Sequence, residues 1–235
     1  MPLRRWIKSA NFAIEGIIHG TRTQRHLRYH LFSAVFILLL SYALGISRND
    51  FLIIALTVIV VLLAELVNTA IEAMVDLVSP GQREKAKIAK DVAAGAVLTT
   101  AFGAAVIGYI ILLPYIRDGF QSGFRIAKHP AEEISVMAVT LVLILVVVTK
   151  AYFGKGTPLR GGIPSGHSAL AFSIWVVVIY TTGSLVASVV CFILAALIAA
   201  SRVVSKIHTI GEVIFGSVMG AALSFLLFRI FLQVN

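Results

Sequence analysis

Seven stretches of almost uninterrupted apolar residues, at roughly 31–46, 51–78, 92–116, 134–153, 168–182, 184–204 and 210–232, divide this 235-residue chain. A bilayer is crossed by about 20 such residues when they form a helix. The hydrocarbon core offers no water to a peptide group, so only helices and closed barrels cross it. Runs of this length choose the helix. The expectation is an all-α integral membrane protein of about seven transmembrane helices. Composition agrees, with 59% hydrophobic and 13% charged residues where soluble domains carry about half apolar residues.

Ahead of the first run, Trp6, Ile7, Phe12, Ile14, Ile17 and Ile18 alternate with Arg4, Arg5, Lys8, Arg22, Arg25 and Arg28. That mixture predicts an amphipathic helix lying at the interface, serving either as a basic anchor on anionic lipid or directly in catalysis. No long apolar centre lies between Met1 and His30, so no signal peptide is expected there. Cys191 is the single cysteine and sits in an apolar run, which reads as packing and rules out an intramolecular disulfide. A net charge of +9 does not point to nucleic acid, because the basic residues gather at the edges of spans rather than on one soluble face.

Charge placement also predicts topology. With a cytoplasmic N-terminus and seven alternating spans, the inner side holds Arg4, Arg5, Lys8, Arg22, Arg25, Arg28, Arg83, Lys85, Lys87, Lys90, Lys150, Lys155, Arg160, Arg202 and Lys206, which is 15 of the 20 Lys and Arg residues. Arg48, Arg117, Arg125, Lys128 and Arg229 remain outside, in keeping with the positive-inside rule. The polar connector Arg117–Glu133, containing Pro130, is the expected linker between a first domain over 1–116 and a second over 134–235.

Within the second run, AELVNTAIEAMVD places Glu65, Asn68, Thr69, Glu72 and Asp76 at offsets 0, 3, 4, 7 and 11. On a helix these fall within roughly a third of the circumference. Carboxylates inside a bilayer are costly unless they pair, line a wet site or bind cations, and hard oxygen ligands suit Mg²⁺. The alternative is a polar seam between helices. Lys90 and Asp91 follow in AKIAKDVAAGAV at the start of the next span, where Lys90 can neutralise phosphate.

ELVNTAIEAMVD followed by KDVAAGAV closely resembles the small integral-membrane prokaryotic diacylglycerol kinases and the related undecaprenol kinases, over about residues 4–116. The resemblance implies phosphorylation of a lipid alcohol with Mg-ATP, a trimer with sites between subunits, and no Gly-rich phosphate loop. It implies that Glu65 is the base that takes the hydroxyl proton and that Glu72 holds Mg²⁺, supported by Asn68, Asp76, Lys90 and Asp91. One position departs: where the family carries a second metal-binding carboxylate in the interfacial segment, this chain has Gln24. An amide is the poorer Mg²⁺ ligand, so the kinase is expected to be weakened or to use Glu15 or a water.

The second half carries different chemistry. KAYFGKGTPLRGGIPSGHSA leaves one apolar helix at Lys150 and enters another after His167, through three basic residues and five glycines. Such a loop collects N–H groups and cations around an anion. Further on, SRVVSKIHTIGE sets His208 four residues before Glu212, a spacing at which a carboxylate orients an imidazole nucleophile. Packed or pore-lining histidines are the bland alternative.

PSGH followed by SR, five residues, His, three residues and an acid resembles the type-2 phosphatidic acid phosphatase superfamily, over about residues 134–232. This implies a metal-free enzyme in which His208 attacks phosphorus to form a phosphohistidine, Glu212 stands where the family usually has Asp, and His167 protonates the leaving oxygen. Lys150, Arg202, Ser165 and the Gly166 N–H are implied to bind phosphoryl oxygens. The first motif departs, because the expected Arg-Pro reads Thr157-Pro158, and Arg160 is the candidate replacement.

A kinase and a phosphatase acting on one substrate pair would only hydrolyse ATP. Family chemistry therefore favours two routes to undecaprenyl phosphate, one from undecaprenol and one from undecaprenyl diphosphate, in a bacterial inner membrane. The alternatives are glycerolipid turnover, with diacylglycerol phosphorylated and phosphatidic acid or phosphatidylglycerol phosphate dephosphorylated, and a non-enzymatic membrane transporter.

Overall fold

The computed structural model describes residues 2–79, 83–153 and 161–233. Among them the chain is helical: α1 (Pro2–Thr23), α2 (Arg25–Leu44), α3 (Arg48–Val78), α4 (Glu84–Ser122), α5 (Ala131–Phe153), α6 (Gly166–Thr182), α7 (Leu185–Val204) and α8 (Ile210–Phe231). Six of these, α2–α5, α7 and α8, are long and apolar enough to cross a membrane. The seventh expected span, α6, is apolar but has 17 residues, about 26 Å at 1.5 Å per residue. The chain is an all-α multi-pass membrane protein. It divides into two compact units, one of residues 23–127 and one of residues 1–22 with 128–235.

In the first unit, α2, α3 and α4 all start earlier than the apolar runs, and α4 also ends later. α2 begins at Arg25, directly after an extended Gln24, and α4 takes in the basic turn at Lys85–Lys90 and continues to Ser122. The polar connector is correspondingly shorter than Arg117–Glu133. Charged residues are good helix formers once an apolar helix supplies the nucleus. Gly45 ends α2 at φ 63°, and its own N–H and that of Ile46 return to the Tyr42 and Ser41 carbonyls. A Cβ at Gly45 would lie 2.6 Å from the Ala127 Cβ, so the position requires glycine for both conformation and space. Ser47 caps α3 by accepting from the Asp50 N–H, and the Asp50 carboxylate accepts from Ser47 Oγ and Tyr115 Oη, each at 2.8 Å. Leu38, Ile46, Ile54 and Leu112 form the buried cluster above this capped turn. Along the outer faces of α3 and α4, Leu52, Leu56, Ile59, Leu63, Leu98, Phe102 and Tyr109 are exposed, as lipid-facing residues must be.

In the second unit α6 and α8 lie side by side in the same direction. Ser165 meets Gly216, Ala169 meets Gly220 and Ser173 meets Ser224, a constant offset along both helices. The contact is backbone to backbone: a Cβ at Gly220 would come within 1.9 Å of the Ala169 carbonyl oxygen, and one at Gly216 within 2.4 Å of that of Ser165. Small residues four apart let membrane helices approach in this way. The seam continues through the Ser173–Ser224 hydrogen bond of 2.7 Å to Tyr180 stacked on Phe228 at 4.5 Å. Val142 and Val146 of α5 pack on Ala169, Met219 and Leu223. At the far end the His129 N–H donates to the Phe231 carbonyl and the Gln233 N–H to that of His129, tying the entry to α5 to the end of α8. The N-termini of α6 and α8 are thereby held together.

Candidate functional site

The α6–α8 seam brings the second set of motif residues to one place. Ser165 stands at the N-cap of α6, and its N–H donates to the Glu212 carbonyl at 3.0 Å. Thr209 and Glu212 form a capping box at the start of α8, with Thr209 Oγ1 accepting from the Glu212 N–H and Glu212 Oε2 accepting from the Thr209 N–H. Glu212 Oε2 also accepts from His208 Nδ1 at 2.8 Å. A carboxylate only accepts, so Nδ1 carries the proton and the free lone pair of the imidazole is on Nε2. His208 is buried, and its Nε2 has no hydrogen-bond partner among the described residues. Burial pushes the His208 imidazole below its ordinary pKa, against the opposing hydrogen bond from Glu212. Its backbone is fixed too, since the Ile207 and His208 N–H groups both return to the Arg202 carbonyl at 3.1 Å.

Around that nitrogen the charge is positive. Lys150 in the last turn of α5 is 1% exposed and donates from Nζ to the Gly161 carbonyl at 3.0 Å. Lys150 and Arg202 both act electrostatically on His208 and on His167 in the first turn of α6. Ser165 Oγ shares a hydrogen bond of 2.9 Å with Ser168 Oγ, both fully buried. Gly166 is packed close to α5, where an added Cβ would sit 3.1 Å from Val146 Cγ1. Lys150, Ser165, Gly166, His167, Arg202, His208 and Glu212 are therefore gathered by the α6–α8 pair, the end of α5, and the end of α7 with the turn after it. Arg160 lies outside the described residues, as do Thr157 and Pro158.

The first unit holds a second cluster on the polar face of α3. Glu72 has both oxygens occupied: Oε1 accepts from Asn68 Nδ2 at 2.9 Å and Oε2 from Gln24 Nε2 at 3.0 Å. Gln24, which stands where the family carries a second metal-binding carboxylate, thus lies against Glu72. Glu65 is buried, with Oε1 3.2 Å from His30 Nε2, and the Thr69 hydroxyl donates to its carbonyl. One turn beyond Glu72, Asp76 pairs with Lys90 of α4. Asp91 is exposed on the following residue, and Glu15 accepts from Asn11 within α1. Among the described residues no three His, Cys, Asp or Glu side chains converge on one point. The donor set present is one carboxylate with two amides, and the Asn68 carbonyl oxygen is buried without a hydrogen-bond partner among the described residues. Mg²⁺ commonly takes one or two carboxylates and completes its shell with substrate phosphates and water, so these residues fit it. His30, the partner of Glu65, lines a cavity of about 530 Å³ together with Ala34, Val61, Ala105 and Tyr109.

His30 was missed in the sequence because it reads as one more polar residue in a basic segment. Thr209 was legible as S/T-x-x-E, the signature of a helix N-terminus.

Two charged clusters thus lie at the ends of apolar helices, one of carboxylates and amides around the buried Glu65 and one of cations around the buried His208. Residues 11–112 match the family model for prokaryotic diacylglycerol kinase, and residues 144–235 match that for the PAP2 superfamily. The chain is similar to a diacylglycerol kinase of Synechocystis sp., at 41% identity over 107 residues, covering 45% of this chain and 61% of that protein's length. It is similar to an undecaprenol kinase of Bacillus subtilis, at 38% identity over 112 residues, covering 48% of this chain and 91% of that protein. A diacylglycerol kinase of Haemophilus influenzae is 26% identical over 89 residues, 38% of this chain and 75% of that protein. No solved structure gives a significant match. The chain belongs to the prokaryotic diacylglycerol kinase family and carries a PAP2 superfamily domain fused to it.

Proposed function

We propose that this protein is a bifunctional lipid kinase and lipid phosphate phosphatase that supplies undecaprenyl phosphate, phosphorylating undecaprenol with Mg-ATP through residues 1–116 and hydrolysing undecaprenyl diphosphate through residues 134–235. The observation that carries the two-enzyme reading is the His208–Glu212 pair, 2.8 Å apart, with a buried Nε2 that has no hydrogen-bond partner among the described residues, in a chain that also holds the Glu65–Glu72 face. The undecaprenol kinase among the relatives supports the lipid class.

In the phosphatase half His208 Nε2 attacks phosphorus, a P–N bond forms and the P–O bond to the leaving group breaks. His167 gives that oxygen its proton. Lys150, Arg202, the Ser165 hydroxyl and the Gly166 N–H hold the phosphoryl oxygens as their charge grows. Glu212 keeps the tautomer and offsets the positive charge on the imidazole. Water then cleaves the phosphohistidine. In the kinase half Glu65 takes the proton of the lipid hydroxyl, with His30 holding its carboxylate, while Lys90 and Asp76 fix the edge of the nucleotide site. Glu72, Asn68 and Gln24 would hold Mg²⁺, which when bound neutralises triphosphate charge. Asp91 lies on the nucleotide side. The cavity beside His30 offers room for the first part of an apolar chain.

Both sites are assigned to the cytoplasmic face of the inner membrane with the N-terminus inside, and a homotrimer is proposed for the kinase half. Glycerolipid turnover is the second reading, favoured by the two relatives named diacylglycerol kinase. Separate assays of the full chain test the bifunctional reading. Glu72→Gln removes kinase turnover and leaves the phosphatase, His208→Ala does the reverse, and EDTA reproduces only the first. Phosphatase loss in EDTA from folded protein contradicts it.

A further inference from the structure

Arg22 ends α1, and its Nη2 donates to the carbonyl of Lys150 at 3.0 Å, across 128 residues of sequence and within the second unit. That carbonyl belongs to the last turn of α5, whose side chain is the buried cation of the phosphoryl site. The charges of Arg22 and Glu212 both act on the Lys150 ammonium. Two cations next to each other at a buried position repel unless an anion lies within reach. Among the described residues that act on Lys150 and His208, the cations Lys150, Arg22 and Arg202 outnumber the carboxylate Glu212, which matches the two negative charges of a phosphomonoester or the terminal group of a diphosphate. The first motif, meanwhile, has Thr157 where an arginine is expected.

We propose that Arg22 adds cationic charge to the phosphatase site beside Lys150, so that the end of α1 is a working part of that site. This rests on the phosphatase reading above. Arg22 is a positioning residue: it holds the turn that carries Lys150, and its positive charge strengthens binding of the phosphoryl oxygens. A guanidinium fork suits phosphate geometry. The competing role is a helix C-cap alone, in which only the hydrogen bond to the Lys150 carbonyl counts.

Arg22→Gln and Arg22→Lys separate the two roles, because glutamine retains a donor for the carbonyl without the charge and lysine retains the charge. The full-length protein is assayed for lipid phosphate hydrolysis, for inhibition by orthovanadate and for thermal unfolding. Arg22→Gln is expected to raise KM and the vanadate inhibition constant about tenfold with an unchanged unfolding temperature, and Arg22→Lys to stay within about threefold of wild type. Equal losses in both variants, or none in Arg22→Gln, overturn the proposal. A measurement on unmodified sequence guards against variants that do not fold: vanadate is expected to protect Arg22 from phenylglyoxal, read by mass spectrometry, and equal modification with and without vanadate contradicts it. His208→Ala is run in parallel. Phosphatase activity surviving in His208→Ala overturns the reading beneath the proposal, whereas loss there with wild-type behaviour in Arg22→Gln overturns the proposal alone.

Discussion

His208 Nδ1 donates to Glu212 Oε2 at 2.8 Å, and the same carboxylate oxygen accepts from the Thr209 N–H. One oxygen therefore caps a helix and sets the tautomer of the buried imidazole, which leaves the lone pair on Nε2. Removing its charge while keeping its shape tests this. Glu212→Gln is expected to lower phosphatase kcat by roughly 100-fold, within the range typical of losing acid–base positioning, while far-ultraviolet circular dichroism stays unchanged. A kcat within twofold of wild type would show that Glu212 only caps α8.

Burial holds the His208 pKa below its ordinary value. The neutral form, the nucleophile, therefore persists as pH falls through the usual histidine range and is lost only below it. Phosphatase kcat/KM is expected to show an acid limb whose midpoint lies below 6.5, the ordinary value. Glu212 raises this pKa through its hydrogen bond and charge, so Glu212→Gln moves the midpoint further down. A depressed pKa also means that native stability contributed by this group is present above 6.5 and lost as pH drops through the folded value. A pH–rate profile of both proteins checks the order; a midpoint that moves up in the variant contradicts it.

Gly220 is the tightest point of the α6–α8 seam, with no room for a Cβ beside the Ala169 carbonyl. Gly220→Val is expected to push the helices apart, break the Ser165–Glu212 backbone bond, and lower phosphatase activity at least tenfold, alongside an unfolding shift of about 1–3 kcal/mol from overpacking. Gly211, which has open space around it, should accept alanine with little change in either measurement.

In the kinase half, Gln24 places a neutral donor on Glu72. Gln24→Glu restores a second carboxylate and is expected to lower the Mg²⁺ concentration for half-maximal kinase turnover by about tenfold, or 1.4 kcal/mol. Turnover against Mg²⁺ concentration reads this directly, and an unchanged or higher requirement places the metal elsewhere.

The membrane spans were legible because apolar length is dictated by the bilayer, and so was the polar face of α3, whose residues recur at helical spacing. The His208–Glu212 pair was legible from its four-residue spacing, although His208 lies just before the N-cap Thr209 rather than on the helix. Helix ends were not: α2 and α4 continue through basic residues that hydropathy counts as loop. Contacts between distant segments left no local trace. Arg22 reaches Lys150 and His30 reaches Glu65, yet each lies in a segment whose charges already had an interfacial explanation. Gly216 and Gly220 read as ordinary small residues of a span, and only the paired backbone of α6 reveals why a side chain is excluded there.

Convergence of two reactions on one lipid product is tested most directly by following products. Purified full-length protein is given undecaprenol with Mg-ATP, and in separate reactions undecaprenyl diphosphate, undecaprenyl monophosphate or diacylglycerol with Mg-ATP, and the lipids are resolved by chromatography. The expected result is undecaprenyl monophosphate from both undecaprenol and the diphosphate, with the monophosphate hydrolysed at least about tenfold more slowly than the diphosphate, a barrier difference of about 1.4 kcal/mol. Preferred phosphorylation of diacylglycerol, or hydrolysis of the monophosphate as fast as the diphosphate, contradicts it.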